Sequence, residues 1–150
     1  MTLRPFTIND APIILSWIKD ETAFRKWSAD RYPVYPPKPE DMVVQYAADN
    51  VFPFTAIDGE GKVVGHIMLR YPDPSKTVIR FGFVIVDDQL RGKGYGKQML
   101  QLAIQKAKNE FGAKASVRKP FSWSSTIVSK KRTSQCFGVT TFPQTQRLVA

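Results

Sequence analysis

An apolar, β-branched run, Val78-Ile79-Arg80-Phe81-Gly82-Phe83-Val84-Ile85-Val86, leads through a short polar loop into Arg91-Gly92-Lys93-Gly94-Tyr95-Gly96, and that stretch leads into Lys97 to Phe111. The first segment has the composition of a buried strand. The last has the spacing of an amphipathic helix: Met99, Ala103, Ala107 and Phe111 recur every fourth residue, and Leu100 and Ile104 widen the stripe. Gly112 is placed to end that helix in the left-handed conformation. Strand, glycine-rich turn and helix start together predict an anion cradle. Glycine lets the backbone come close to a ligand and adopt positive φ. A helix start offers unpaired N–H groups and the positive end of the dipole, which suits a diphosphate.

Two familiar phosphate motifs fail here. A P-loop needs Gly-x-x-x-x-Gly-Lys-Ser/Thr, but Gly92 to Gly96 is one residue too short and Lys97 precedes Gln98. A dinucleotide fingerprint needs Gly-x-Gly-x-x-Gly and a later acid, but the spacing is Gly-x-Gly-x-Gly and no acid follows Glu110. The pattern Gln/Arg-x-x-Gly-x-Gly/Ala is met at every fixed position by Arg91, Gly94 and Gly96. With the strand end Val84-Ile85-Val86 and the loop Asp87-Asp88-Gln89-Leu90, the segment resembles the GCN5-related N-acetyltransferase (GNAT) family. The resemblance runs from about Thr2 to Gly112.

That resemblance implies an α/β (α+β) fold, the acyl-CoA N-acyltransferase fold. Its mixed, mostly antiparallel twisted sheet has helices on both faces and splays near the end of the central strand. It implies acetyl-CoA as co-substrate and a primary amine, of a small molecule or a protein, as acceptor, with direct attack in a ternary complex. Backbone N–H groups from Gly92 through Lys93, Gly94, Tyr95 and Gly96 to Lys97 would hold the diphosphate, with Arg91 beside them. Val84, Ile85 and Val86 would pair with the pantetheine arm, and a main-chain N–H near Val84 would polarise the thioester carbonyl.

General base and acid stay open. Asp87, Asp88, His66 or a water relay are the candidates for the base. Asp87 and Asp88 read better as loop-shaping groups that balance Arg91, and His66, alone on a strand, as structural. The family often uses a Tyr as acid, yet no Tyr follows Tyr95 here, and Phe137 has no proton to give. Trp17, Trp27, Tyr32 and Tyr35 fall in the segment that forms a wall of the acceptor site in the resembled family. Asp20, Glu21 and Asp30 are the acids there that suit a cationic amine. Trp17 and Trp27 read as ordinary core aromatics. Cys136 has no histidine near it in sequence, so it reads as an incidental thiol. No metal-ligand cluster is visible, and no metal is expected.

Charge decides against polynucleotide binding. The net charge is +9, but all 13 acids lie at or before Glu110, while seven of the 22 basic residues follow Gly112. The body is nearly neutral and the excess belongs to the end, a weak nucleic-acid signal. At 150 residues the chain is expected to form one N-acetyltransferase domain. It shows no run of about 18 apolar residues, so no membrane partner is expected. No signal-peptide pattern and a single cysteine make the cytoplasm the expected compartment.

Elsewhere the pattern predicts a strand over 3–7 and a helix capped at Thr7 or Asp10 with Pro12 in its first turn and Ile13, Ile14, Trp17 and Ile18 on one face. It predicts a short helix over 21–28 with Phe24 and Trp27 inward. A non-helical proline-rich stretch covers 32–39, and a helix runs from Pro39 to about Ala48. A hairpin of 52–57 and 63–70 follows. Residues 113–150 are rich in Ser, Thr, Lys and Arg, and lack the family's usual closing pattern. A diverged end and an out-of-frame end both fit that text. It favours a second reading, a catalytically impaired CoA-binding module, to which a homodimer that repairs the end would belong.

Overall fold

The strands and helices of this chain are described by a computed structural model covering residues 1–76 and 78–111 and the backbone of Lys114–Ser116. Five strands form one sheet in the order β1 (Thr2–Pro5), β2 (Val51–Ile57), β3 (Val63–Arg70), β4 (Val78–Val86) and β5 (Lys114–Ser116). The first four are antiparallel neighbours, and β5 runs parallel to β4. A parallel return needs a crossover, and the long helix α4 (Tyr95–Phe111) supplies it. Three short helices precede the hairpin: α1 (Ala11–Ser16), α2 (Glu21–Ser28) and α3 (Pro39–Gln45).

Helices cover both faces of the sheet. On one face Met99, Ala103 and Ala107 of α4, all fully buried, pack on Ala56, Val64, Ile67, Leu69 and Ile79. Gly65 makes that approach possible: a Cβ there would stand 2.8 Å from Met99 Sδ and 3.1 Å from the Ile85 carbonyl oxygen. The other face packs Met68 and Phe83 against Ala11, Ile14, Trp17, Phe24, Met42 and Tyr46. Each fully buried aliphatic side chain in these layers is worth about 1.5–3 kcal/mol.

Helix ends follow the local chemistry. The Asp20 carboxylate accepts from Ala23 N–H at 2.8 Å and caps α2, which ends at Ala29 in the left-handed region with φ 51°. Asp41 accepts from Lys38 N–H at 2.7 Å at the start of α3. The Tyr71 hydroxyl donates to the Phe111 carbonyl at 2.8 Å and so satisfies an otherwise open acceptor at the end of α4. Thr7 and Asp10 share the first cap. Thr7 N–H and hydroxyl donate to the Asp10 carboxylate at 2.9 and 3.1 Å, and Asp10 N–H donates to the Thr7 carbonyl at 3.0 Å.

Four boundaries differ from the sequence pattern by more than one residue. β1 ends at Pro5, because Thr7 is drawn into the cap. α1 stops at Ser16, and Trp17 and Ile18 N–H bond back to Ile14 and Leu15 at 3.3 and 3.1 Å as the chain turns towards the Asp20 cap. The expected apolar face is therefore broken, and Ile13 is 43% exposed. α3 stops at Gln45, because Tyr46 turns into the core. α4 starts at Tyr95, two residues before Lys97. Gly112, Cys136 and Phe137 lie outside the described residues.

Candidate functional site

The site begins where β4 loses its regular alternation. Ile79 and Phe81 point into the α4 side of the core, and so do Val84 and Val86, whereas Phe83 points to the other side. The parity changes because β4 is bulged. Met68 pairs with Gly82 and His66 with Ile85, so Phe83 and Val84 together face Ile67 alone. Phe83 has φ 50°, a left-handed conformation that is uncommon for a bulky residue inside a strand. Its ring is held on three sides, with centroids 5.2 Å from Trp27, 5.9 Å from Tyr32 and 5.7 Å from Tyr46. Among the described residues, β5 pairs with β4 only from Val78 to Arg80. The β4 edge from Phe81 to Val86 has no described strand beside it on that side.

The turn after β4 is built by Asp87. Its N–H donates to the Val64 carbonyl at 3.1 Å, which ties the strand end to β3. Its carboxylate accepts from Gln89 N–H at 3.0 Å and starts a 3-10 turn over Asp88–Leu90. Asp88 pairs with Arg91 at 2.5 Å and lies 4.0 Å from Lys19. Both aspartates thus shape and balance the loop.

Gly92 and Gly94 then take φ 75° and 85°, which only glycine adopts freely. A Cβ at either would meet nothing within 4 Å, so both face open space. Gly96 is different. Its φ is not positive, and a Cβ there would make an ordinary 3.8 Å contact with Val86 Cγ2. The first bond inside α4 runs from Gln98 N–H to the Gly94 carbonyl at 3.0 Å. The N–H groups of Tyr95, Gly96 and Lys97 precede it and have no intrahelical acceptor. Arg91, Lys93 and Lys97 are exposed around them. Open backbone donors, a helix dipole and three cations fit a diphosphate. The bulged edge, with Val84, Ile85 and Val86, begins on the strand that feeds this cradle.

His66 has no catalytic setting. It is fully buried, and its Nε2 lies 2.8 Å from the Tyr46 hydroxyl. Burial pushes its imidazole down to about 3, only partly offset by the Asp10 charge and the Phe54 carbonyl. So low a proton affinity, in a side chain closed off from solvent, makes it a poor general base. Trp17 is buried, and Trp27 and Tyr35 are half-buried around Phe24. Glu21 pairs with Arg25 at 2.9 Å, and Asp30 lies 3.9 Å from the same guanidinium. With Asp20 spent on a cap, these three acids serve the α2 region locally. Among the described residues no group of three His, Cys, Asp or Glu forms a metal site, and no helix is long and apolar enough to cross a membrane.

A family model, acetyltransferase (GNAT) family, matches residues 21–120. The chain belongs to the GNAT acetyltransferase family. It is an acetyl-CoA-dependent N-acetyltransferase, and acetyl-CoA is its co-substrate. Solved structures agree on the fold. Spermidine N-acetyltransferase from Vibrio cholerae in complex with CoA and spermine is similar with a TM-score of 0.63 at 15% identity, over 77% of this chain and 69% of that one. A putative phosphinothricin N-acetyltransferase is similar with a TM-score of 0.58 at 26% identity, over 77% and 71%. No curated protein matches the sequence.

Phe83 escaped the sequence reading as a separate residue. The signal that marks it is Gly82, since a glycine inside a strand pattern is a bulge signal.

Proposed function

We propose that this chain, as a single N-acetyltransferase domain, moves acetyl from acetyl-CoA to a primary amine of a small molecule or protein by direct attack in a ternary complex. The observation that carries the reading is the bulge at Phe83 and Val84, set on the strand that ends at the open cradle of Gly92 to Lys97. The amines named in the two similar structures, spermine and phosphinothricin, are small molecules, which supports a small-molecule acceptor.

Bound acetyl-CoA supplies an activated thioester. The chain's part is to hold and polarise it. Tyr95, Gly96 and Lys97 N–H would donate to the diphosphate, with Arg91 and Lys93 adding charge. Val84, Ile85 and Val86 would offer backbone partners along the β4 edge. Val84 N–H would donate to the carbonyl oxygen as negative charge develops there, a role worth about 10²–10³ in rate. Asp87 and His66 are occupied in the fold, so deprotonation of the amine falls to water or to a group outside these residues.

A second reading, a CoA-binding module with impaired catalysis, is favoured by the lack of any Tyr beyond Tyr95. One experiment separates the two. Calorimetric titration with acetyl-CoA, with NADH and ATP as controls, is followed by an amine panel read by thiol release. Selective binding with release supports the transferase, and binding without release supports the impaired module. No selective binding refutes the cradle.

A further inference from the structure

Arg70 and Arg80 are direct partners across β3 and β4. Directly opposed residues in an antiparallel pair have Cα atoms about 4.5–5.5 Å apart and side chains on the same face. Two like charges so placed repel each other. Both side chains are half-buried, so water screens them only in part. Burial lowers the Arg70 guanidinium from its ordinary value, and the charges of Arg31 and Arg80 lower it further. Arg31 stands just after α2, which packs on β4.

Among the described residues nothing neutralises this cluster. All 13 acidic side chains belong to described residues, and none pairs with Arg31, Arg70 or Arg80. Nor does any of the three donate a hydrogen bond among the described residues, although Arg4 and Arg25 both do. The segment 113–150 has no acid at all, so it has no carboxylate side chain to offer. Half-buried and unpaired, the cluster is suited to a countercharge brought by another molecule.

The cluster's place in the fold says which one. Two residues along from the Arg70–Arg80 pair, on the same face, Met68 pairs with Gly82. Met68 shares its core with Phe83, Phe24 and Tyr32, so the arginines lie on the α2 side of the sheet, opposite α4. A strand advances about 3.3 Å per residue, so Arg80 stands on the order of 13 Å before Val84. Long arginine side chains span part of that distance. We infer that the acceptor is an amine that also carries an anionic group, a carboxylate or phosphate, seated on Arg70, Arg80 and Arg31 while its amine reaches the bulge. The inference rests on the acetyl-transfer reading above and narrows its acceptor; a polycation is the wrong guest for this face.

The test compares acids with their neutral amides. Glycine, γ-aminobutyrate and ε-aminocaproate, the corresponding amides, the aminoalkyl phosphonate matching ε-aminocaproate in length, and spermidine are titrated calorimetrically into the CoA-loaded protein. The same amines are assayed for thiol release with acetyl-CoA. A charge-assisted contact predicts that ε-aminocaproate binds at least about tenfold more tightly than its amide. That preference grows with chain length and collapses in Arg70→Gln and Arg80→Gln. In those variants KM for the acid rises towards that for its amide. The phosphonate arm decides between carboxylate and phosphate. Removing one of two opposed cations leaves melting temperature unchanged or higher, so a folding defect does not confuse the result. Equal affinity for acid and amide overturns the inference. So does a preference that survives both substitutions, and so does spermidine as the best acceptor. Acid preference without thiol release from any amine would sink the catalytic reading and leave the arginine assignment standing.

Discussion

Replacing Phe83 by alanine tests whether the bulge is held from the helical side. A non-glycine residue at φ 50° costs roughly 1–2 kcal/mol. The Phe83 ring, 5% exposed, meets Trp27, Tyr32 and Tyr46. At about 0.5–1.5 kcal/mol for each aromatic pair, three pairs contribute about 1.5–4.5 kcal/mol beyond their area burial. The ring contacts therefore exceed the backbone strain, and the bulge persists. Phe83→Ala keeps most of the strain and loses the contacts, so a stability loss of about 3–5 kcal/mol is expected by urea unfolding. Phe83→Gly recovers about 1–2 kcal/mol of that strain. Catalysis discriminates further. If the ring positions Val84 N–H, kcat for thiol release falls by up to about 10²–10³ in folded protein, the loss of one such donor. CoA affinity, set at the cradle, stays within about threefold, a change of less than 1 kcal/mol. A folded Phe83→Ala protein with wild-type kcat would refute the argument.

The cradle glycines predict an asymmetry. Gly94→Val forces a β-branched residue to φ 85° and is expected to abolish CoA binding, whereas Gly96→Ala adds only a 3.8 Å contact and is expected to bind normally, both read by calorimetry. Acid sensitivity comes from two groups. His66, held at about 3 by burial, takes up its proton more readily when unfolded, so stability falls as pH drops from about 6.5 towards 3, at about 1.4 kcal/mol per pH unit. Burial alone would raise the Asp10 carboxyl, but hydrogen bonds from Arg4, Thr7 and Thr55 hold it at about 2. Its contribution, at most on the order of 2 kcal/mol because Arg4 is partly in solvent, is present above the usual carboxylate range and is lost between about pH 4 and 2. Urea midpoints against pH check this, and His66→Gln should flatten the curve between about pH 6 and 4 while leaving the lower limb.

The readable parts of the sequence were those in which local and global preferences agree. α2, β3 and β4 fall on their expected residues, because cap, period and β-branching all point the same way. The glycine turn between β4 and α4 agrees in the same way: Gly92 and Gly94 take positive φ, and Gly96 falls in the first turn of the helix. The errors occur where tertiary contacts compete with a local pattern. Ile13 and Ile18 continue a helical stripe in sequence, yet the turn into the Asp20 cap ends α1 first. Tyr46 leaves α3 because its ring finds Phe6, His66 and Phe83.

The bulge and the arginine pair were hidden for a deeper reason. Both depend on register: Gly82 is a bulge signal, but nothing in a single strand fixes which residue of β3 faces which residue of β4. The extra residue at Phe83 puts Val84 and Val86 on the α4 face, although strict alternation from Ile79 and Phe81 would put them on the other. Without it, Val84 would be an ordinary ladder residue, and Arg70 and Arg80 would be two unrelated surface charges in the text. The same register that opens the strand at Val84 sets the arginines opposite each other farther back along β4. On the proposed reading, cofactor polarisation and acceptor charge selection would be two consequences of one strand pairing. A change at Phe83 that shifts that pairing should therefore alter acid-over-amide preference as well as kcat, whereas a change at Arg80 should alter the preference alone.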